Sequence, residues 1–490
     1  MEIKKDFDVA LKYHQEGDLL NAETLYKKIL KLKPNHLKTN FSLGTLLIQK
    51  TDFTLAKKYF DKVISIKVDH FYAYNYLGII HKELKIFEKA KTYFEKAISI
   101  NKDYADAYYN LGLLFKDIDD YKNAKRYYQK TILINPDHPK VYNNLGNICS
   151  ILGEEKEALD HFKKAVKINP GNAQAYNNLG NKFKEIGEYQ KSVEAYNKAI
   201  LINPNLSQVY ENLGNVFRIK KNFKKAIECF EKANSKNSKA QLLECVYFEY
   251  GLKKYNEKIE NLVKKDCFNR RIATIAAYVA ETTSSNNIYP FCRKPINYLY
   301  KTNLERNFSD KKKFQNDLLD HLESLNSVWE PSSKTTTRGY QTPGNLFTKN
   351  NTKFEKLIQL VKNAITHYKE NFGNSDDLII KKWPKKTILN AWYVKLIEQG
   401  YQKSHIHPDG WISGVFYLKI PKFTGGLDGS IKLTLYGYDY PINKNLPNVI
   451  HSPKDFDLIL FPSSLFHGTI PFKLKETRHV IAFDLIPLEI

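Results

Sequence analysis

The stretch Ser404-His-Ile-His-Pro-Asp409 sets two imidazoles and a carboxylate at two-residue intervals, just ahead of the apolar run from Trp411 to Leu418. On an extended chain that spacing puts alternate residues on one side. His405, His407 and Asp409 can therefore offer donors to a common point, as one corner of a metal site. A third ligand must come from a distant strand, and His467, after the turn-bearing run Leu460-Phe-Pro-Ser-Ser-Leu-Phe466, is suitably placed. Arg478, eleven residues beyond His467, adds a fork that can bind a carboxylate in bidentate fashion. Two other histidines of this region, His451 and His479, read as satisfied polar residues of a β-domain.

The elements around these residues have a β texture. From Lys386 onward, short β-branched and aromatic runs are separated by Gly, Pro and Asn. They predict strands at Ile388 to Leu396, Ile412 to Ile420, Ser430 to Tyr436, Asp457 to Phe461 and Arg478 to Leu485. Several short strands without alternating helices imply a sandwich, jelly roll or barrel and not a parallel α/β sheet.

The first half of the chain is organised differently. A 34-residue frame set at Ile3 places Ala10, Gly44, Gly78, Gly112, Gly146, Gly180 and Gly214 at its eighth position. The twentieth holds Ala22, Ala56, Ala90, Ala124, Ala158, Ser192 and Ala226; the twenty-fourth holds Tyr26, Phe60, Phe94, Tyr128, Phe162, Tyr196 and Phe230. Pro34, Pro136, Pro170 and Pro204 share the thirty-second. This pattern resembles the tetratricopeptide repeat, seven times over. Small residues let two helices of a hairpin approach closely, the aromatic fills the gap between hairpins, and proline ends the second helix. Gln241 to Lys265 reads as a degenerate closing hairpin.

Arrays of this kind imply a protein or peptide partner on the concave face. Asn110, Asn144, Asn178 and Asn212 recur at the sixth position, where carboxamides could pair with an extended peptide backbone irrespective of its side chains. The bland alternative is that Asn is common in consensus-like repeats.

Beyond Asp266 the period is lost. Ile272 to Ala280 reads as one more apolar helix, and helical patterning returns at Lys311 to Ser327 and Lys353 to Asn371. Between those two lies the polar, glycine-bearing run Trp329 to Leu346, read as a loop. Arg338 and Gln341 are its candidates for touching a substrate. The expected domains are 1–240 (seven repeats), 241–285 (capping helices and connector) and 286–490, with a helical first part and a β core from about 386.

The 490 residues carry a formal charge of +23, which raises the question of a nucleic-acid partner. Residues 401–490, however, hold nine Lys or Arg against eight Asp or Glu, a net of +1, so the excess lies in helical sequence where Lys alternates with acidic residues. Without a basic block interleaved with stacking aromatics, this reads as a solvated surface. Five scattered cysteines, never in a CxxC pair, argue against a disulfide framework or a cysteine zinc site. No apolar run approaches the length of about 20 residues that spans a bilayer, and a cytoplasmic protein without membrane partners is expected.

The order His405, His407, Asp409, then a Tyr-containing strand, then His467 and Arg478 resembles the Fe(II)- and 2-oxoglutarate-dependent oxygenases, built on a double-stranded β-helix. The match is to an oxygenase family found behind such repeats, and extends back to about Tyr289, including Gly339-Tyr-Gln-Thr342. The resemblance implies Fe(II) held in a facial triad of two imidazoles and one carboxylate, leaving three positions for 2-oxoglutarate and O₂. His407 and Asp409 make the usual His-x-Asp pair, interrupted by Pro408. Alignment on Tyr401 selects His405 and His407 instead, so first ligands from His405, His407 and Asp409 stay open, with His467 as the distant one. Arg478, Tyr417 and, by similarity to prolyl hydroxylases, Tyr393 are expected to hold 2-oxoglutarate. The expected fold is α+β multidomain, an all-α repeat solenoid followed by a jelly-roll oxygenase domain. The expected function is hydroxylation of a protein or peptide recruited by the array. The alternatives are a non-catalytic scaffold, or an oxygenase acting on a small molecule or glycan.

Overall fold

The computed structural model describes residues 2–330, 335–348, 352–422, 426–437, 440–443 and 445–489. By packing, the chain divides into two compact units, Met1–Asn178 and Leu179–Ile490. The first unit is built of helix pairs that follow the sequence frame, such as Leu37–Gln49 with Phe53–Ile66 and Val141–Ile151 with Glu155–Ile168. Three of the second helices open on side-chain caps: Asp18, Asp52 and Asp120 accept from the backbone N–H groups of Asn21, Leu55 and Asn123 at 3.2, 3.0 and 3.1 Å. Each cap satisfies a donor the helix cannot pair internally, contributing about 1 kcal/mol.

The spacing of the frame has a direct steric cause. The aromatic at position twenty-four lies over the glycine at position eight of its own repeat: a Cβ added to Gly146 would lie 2.7 Å from the Phe162 ring. The same holds in the second unit, where Gly214 faces Phe230 at 2.7 Å. The aromatic thus fills space within its hairpin, and Phe60 also stacks on the next repeat's Tyr76, with ring centroids 5.1 Å apart, which is the expected role between hairpins. Glycine is required there for its missing side chain and not for backbone freedom.

In the second unit the repeat helices Ser207–Ile219 and Phe223–Ala233 lead into Lys236–Lys265 and Arg270–Thr283. The predicted closing hairpin is two helical segments that meet at a kink on Gly251, whose φ is 75°, and the rings of Tyr247 and Tyr255 on either side of it lie 5.7 Å apart. The strands among the described residues are β1 (Tyr300–Asn303), β2 (Val328–Trp329), β3 (Thr336–Gln341), β4 (Lys386–Gln402), β5 (Ile412–Lys419), β6 (Ile431–Thr434), β7 (Asn448–His451), β8 (Asp457–Pro462), β9 (Phe466–Thr469) and β10 (Arg478–Glu489). They form an antiparallel sheet in the order β1-β8-β5-β10-β4-β3-β2 and a smaller one in the order β7-β6-β9.

One face of the large sheet, with Val394, Leu396, Val415, Ile459 and Val480, shares a core with Ile431 and Leu433 of the small sheet. Its other face, with Phe416, Leu458, Ile481 and Phe483, packs into a core with Ile272, Leu318 and Val361 of helices Arg270–Thr283, Lys311–Ser324 and Glu355–Asn371. Central β5 is buried from Ile412 through Leu418 because both faces are covered. Antiparallel sheets sharing a core after an all-helical array agree with the predicted fold class and are consistent with a jelly roll.

One expectation fails. Much of the run Trp329 to Leu346 is not loop: β3 pairs with β4, and β2 pairs with β3. The threonines from Thr335 to Thr337 favour extended backbone, and a bulge between Thr337 and Gly339 carries Arg338 at φ 49°. Residues 331–334 of that run lie outside the described residues.

Replacing Gly146 by valine is expected to push the Phe162 ring from its seat and destabilise the hairpin by about 1–3 kcal/mol. Amide hydrogen exchange across residues 141–168 measures this, and should show faster exchange there.

Candidate metal centre

The site begins with backbone pairing. The segment after β4 carries His405 and His407, and it is zipped onto the end of β8 and the start of β9. His405 N–H donates to His467 C=O and His467 N–H to His405 C=O, both at 3.0 Å, while His407 N–H donates to Ser463 C=O at 3.0 Å. Gly468 permits this approach, since a Cβ there would meet Gln402 C=O at 2.8 Å. Three rings meet as a result: centroids lie 4.9 Å apart for His405 and His407, 4.3 Å for His405 and His467, and 4.9 Å for His407 and His467. Each offers a nitrogen within 4.8 Å of the others'.

Partners at Nδ1 fix which nitrogen that is. His405 Nδ1 is 2.7 Å from Lys403 C=O, His467 Nδ1 is 3.2 Å from Leu465 C=O, and His407 Nδ1 is 2.7 Å from both oxygens of Asp484. Those partners are acceptors, so Nδ1 carries the proton in each ring and Nε2 keeps its lone pair. Burial, and then the neighbouring His405 and His407, hold the His467 imidazole well below its ordinary pKa, so it stays neutral as a ligand must. Three imidazoles converging in this way suit a divalent transition metal.

Beside them lies a buried cation. Arg478, at the start of β10, is 2% exposed and lines one cavity with His405, His407, His467 and Tyr417. Among the described residues its Nε and Nη1 make no hydrogen bond of ordinary geometry; its polar neighbour is the Tyr417 hydroxyl, and its guanidinium sits 5.2 Å over the Tyr417 ring. A buried charge without a counter-charge is costly, so these donors match an anionic guest bound next to the histidines.

Comparison with known proteins gives this geometry a family. A family model described as “Putative 2OG-Fe(II) oxygenase” matches residues 390–484, which contain all three histidines and Arg478. Tetratricopeptide-repeat models match 37–70, 71–104, 105–138, 139–172, 173–206 and 207–244. The chain joins tetratricopeptide repeats to a domain of the 2OG-Fe(II) oxygenase family. Similar solved structures include the MamA protein, at 30% identity over 35% of this chain and 94% of that one, with a TM-score of 0.30. Pseudomonas aeruginosa pilF is 18% identical over 42% of this chain and 97% of its own, with a TM-score of 0.38. YrrB, titled a TPR protein with an unusual peptide-binding site, is 23% identical over 40% of this chain and 97% of its own, with a TM-score of 0.31. No curated protein matches the chain.

The other predicted residues of the oxygenase domain fall in several places. Asp409 stands apart from the cluster of converging donors; it lines a wider open cleft with His405, His407 and Gln341. The turn at Pro408 takes the chain off the extended path on which the two-residue interval would have kept Asp409 beside His407. Gln341 is buried, and its Oε1 accepts from the Thr336 hydroxyl at 3.0 Å. Arg338 is exposed on its bulge and is not among the residues lining either cavity at the histidines.

Tyr393 points away from the site: its hydroxyl lies 2.6 Å from His479 Nδ1, while the adjacent Trp392 faces the histidines, 5.3 Å from the His407 ring. Strand alternation decides this, since Trp392 pairs with Ala482, on the face of Arg478 and Asp484, and Tyr393 pairs with Ile481 on the other. His479 and His451 are satisfied as expected. His479 is pushed down to about 4 by burial, and His451 Nε2 lies 3.1 Å from Asp457.

In the repeats the asparagine side chains bond to the array itself. Asn110 Nδ2 donates to Asn75 at 2.9 Å, Asn144 Nδ2 to the Tyr109 hydroxyl at 2.7 Å, and Asn178 Nδ2 to Asn143 at 3.0 Å. In the second unit Asn212 accepts from Gln208 at 3.3 Å. Asn110, Asn144 and Asn178 thus each donate from Nδ2 to the preceding repeat.

Asp484 escaped the sequence reading. It also accepts from the Ser413 hydroxyl at 2.7 Å, its cross-strand partner. A lone carboxylate in the apolar run of β10 was the available signal. Asp484→Asn keeps the shape but removes the charge that orients and polarises His407. Co(II) titration of this variant is expected to show affinity reduced about 10- to 100-fold.

Proposed function

We propose that the C-terminal domain is a Fe(II)- and 2-oxoglutarate-dependent hydroxylase acting on a protein or peptide recruited through the repeats. His405, His407 and His467 would hold the iron, with Asp484 supplying negative charge through His407 in place of a carboxylate ligand. Arg478 would receive the far carboxylate of 2-oxoglutarate in its fork, with the Tyr417 hydroxyl beside it. The observation that carries the reading is the pairing, in one cavity, of three converging imidazoles with a buried guanidinium that has no carboxylate partner among the described residues. When bound, the iron and its co-substrate supply the oxidising power that puts one oxygen atom of O₂ into a C–H bond and the other into succinate, with release of CO₂.

The chain's own residues prepare that chemistry. The Nδ1 partners hold three lone pairs toward one point, and the sheet cores exclude water behind it. The open cleft lined by Gln341, Trp392 and Asp409 reaches the same histidines from outside, which supports access for a substrate presented from solution. The repeats support a protein as that substrate. The five cysteines are all free and four are buried, which supports a reducing, cytoplasmic setting. No helix among the described residues is long and apolar enough to cross a membrane.

His467→Ala is expected to abolish conversion of 2-oxoglutarate to succinate in air with Fe(II), while the wild-type chain turns it over and adds one oxygen atom to a captured protein. Succinate formation by the wild type equal to that of His467→Ala would contradict the proposal.

A further inference from the structure

The helix Arg270–Thr283 lies outside the stretch that matches the oxygenase family, yet one of its turns grips both segments that carry the histidines. Arg270 is 3% exposed; its Nε donates to Gly410 C=O at 2.8 Å and its Nη2 to Asp409 C=O at 3.0 Å. Nη1 donates to Phe268 C=O at 2.7 Å, anchoring the guanidinium to its own helix start. Four residues on, and so on the same helix face, the Thr274 hydroxyl lies 2.6 Å from Ser464 C=O. Gly410 lies three residues after His407, and Ser464 three residues before His467.

The guanidinium has no carboxylate within ion-pair distance among the described residues. It is held by three carbonyl dipoles and stands over Trp411 at 5.6 Å and Phe291 at 5.9 Å. A desolvated cation whose donors go to backbone carbonyls stabilises one loop conformation, because moving the loop would strand the charge. The helix is fixed in turn on Lys236–Lys265. Asn269 Nδ2 donates to Lys236 C=O at 2.9 Å, and Arg271 pairs with buried Glu244 at 3.5 Å.

We propose that Arg270 is a positioning residue of the metal centre. With Thr274 it sets the spacing between the His405–His407 segment and the His467 segment, so that the closing helices of the array are part of the apparatus that makes the site bind metal. This rests on the reading of the three histidines as ligands. It assigns a role to a residue about 135 positions from the nearest of them, before the family-matched region.

The test is Co(II) titration of the full chain, read by affinity and by the visible absorption of the bound ion. Arg270→Ala is expected to lower affinity about tenfold or more and shift the absorption bands, with recovery on adding millimolar guanidinium but not sodium chloride. Thr274→Val, which keeps the side-chain volume and loses only the hydroxyl, is expected to change both in the same direction. Wild-type affinity and spectrum in Arg270→Ala overturn the proposal. Should that variant fail to fold, wild-type behaviour in Thr274→Val overturns it instead. Absence of Co(II) binding by the wild-type chain itself overturns the ligand reading, and the positioning role with it.

Discussion

Two reciprocal hydrogen bonds between His405 and His467 hold the whole site together. They join a segment that has just left β4 to the strand β9, which belongs to the other sheet, and so carry ligands of distant sequence to one place. Other features serve this closure. Gly468 lets the backbones approach, Ser463 receives the next N–H along, and Asp484 fixes the ring of His407 once it arrives. The sheets are needed because period-two geometry alone can bring two donors together, whereas a third must cross between layers.

The second constraint is electrostatic. Arg478 is buried next to three imidazoles, without a carboxylate partner among the described residues, in a cavity walled by Tyr417, Phe461 and Ile431. In such surroundings a guanidinium keeps its charge, and burial only lowers its pKa from a very high value. A protein stable with that arrangement alone would be giving up free energy for nothing. Binding a dianion there while a divalent cation sits on the histidines balances the charges, so the two guests favour one another.

Much of this was legible in the sequence because its signals are local. A 34-residue frame reports itself through glycine facing an aromatic, and the histidines, Arg478 and Tyr417 lie in strands whose patterning is plain. What escaped depends on register and on contacts between distant segments. Tyr393 and Trp392 are neighbours, and only the pairing of Trp392 with Ala482 decides which one faces the site. Asp409 fits a familiar spacing, but the turn at Pro408 removes it from the cluster. The bonds from Asn110 and Asn178 to asparagines of the preceding repeat likewise depend on how the repeats stack. Arg270 carries no sequence signal, since its partners are backbone carbonyls well over a hundred positions away.

In the proposed site, three histidines and one arginine together would hold a metal and a 2-oxoacid dianion. The most direct test is anaerobic calorimetry of the full chain, with Fe(II) titrated first and 2-oxoglutarate second. One iron per chain is expected, with 2-oxoglutarate binding that is strong with iron present and weak without it. Binding of 2-oxoglutarate that ignores the metal, or iron that fails to bind at all, would contradict it.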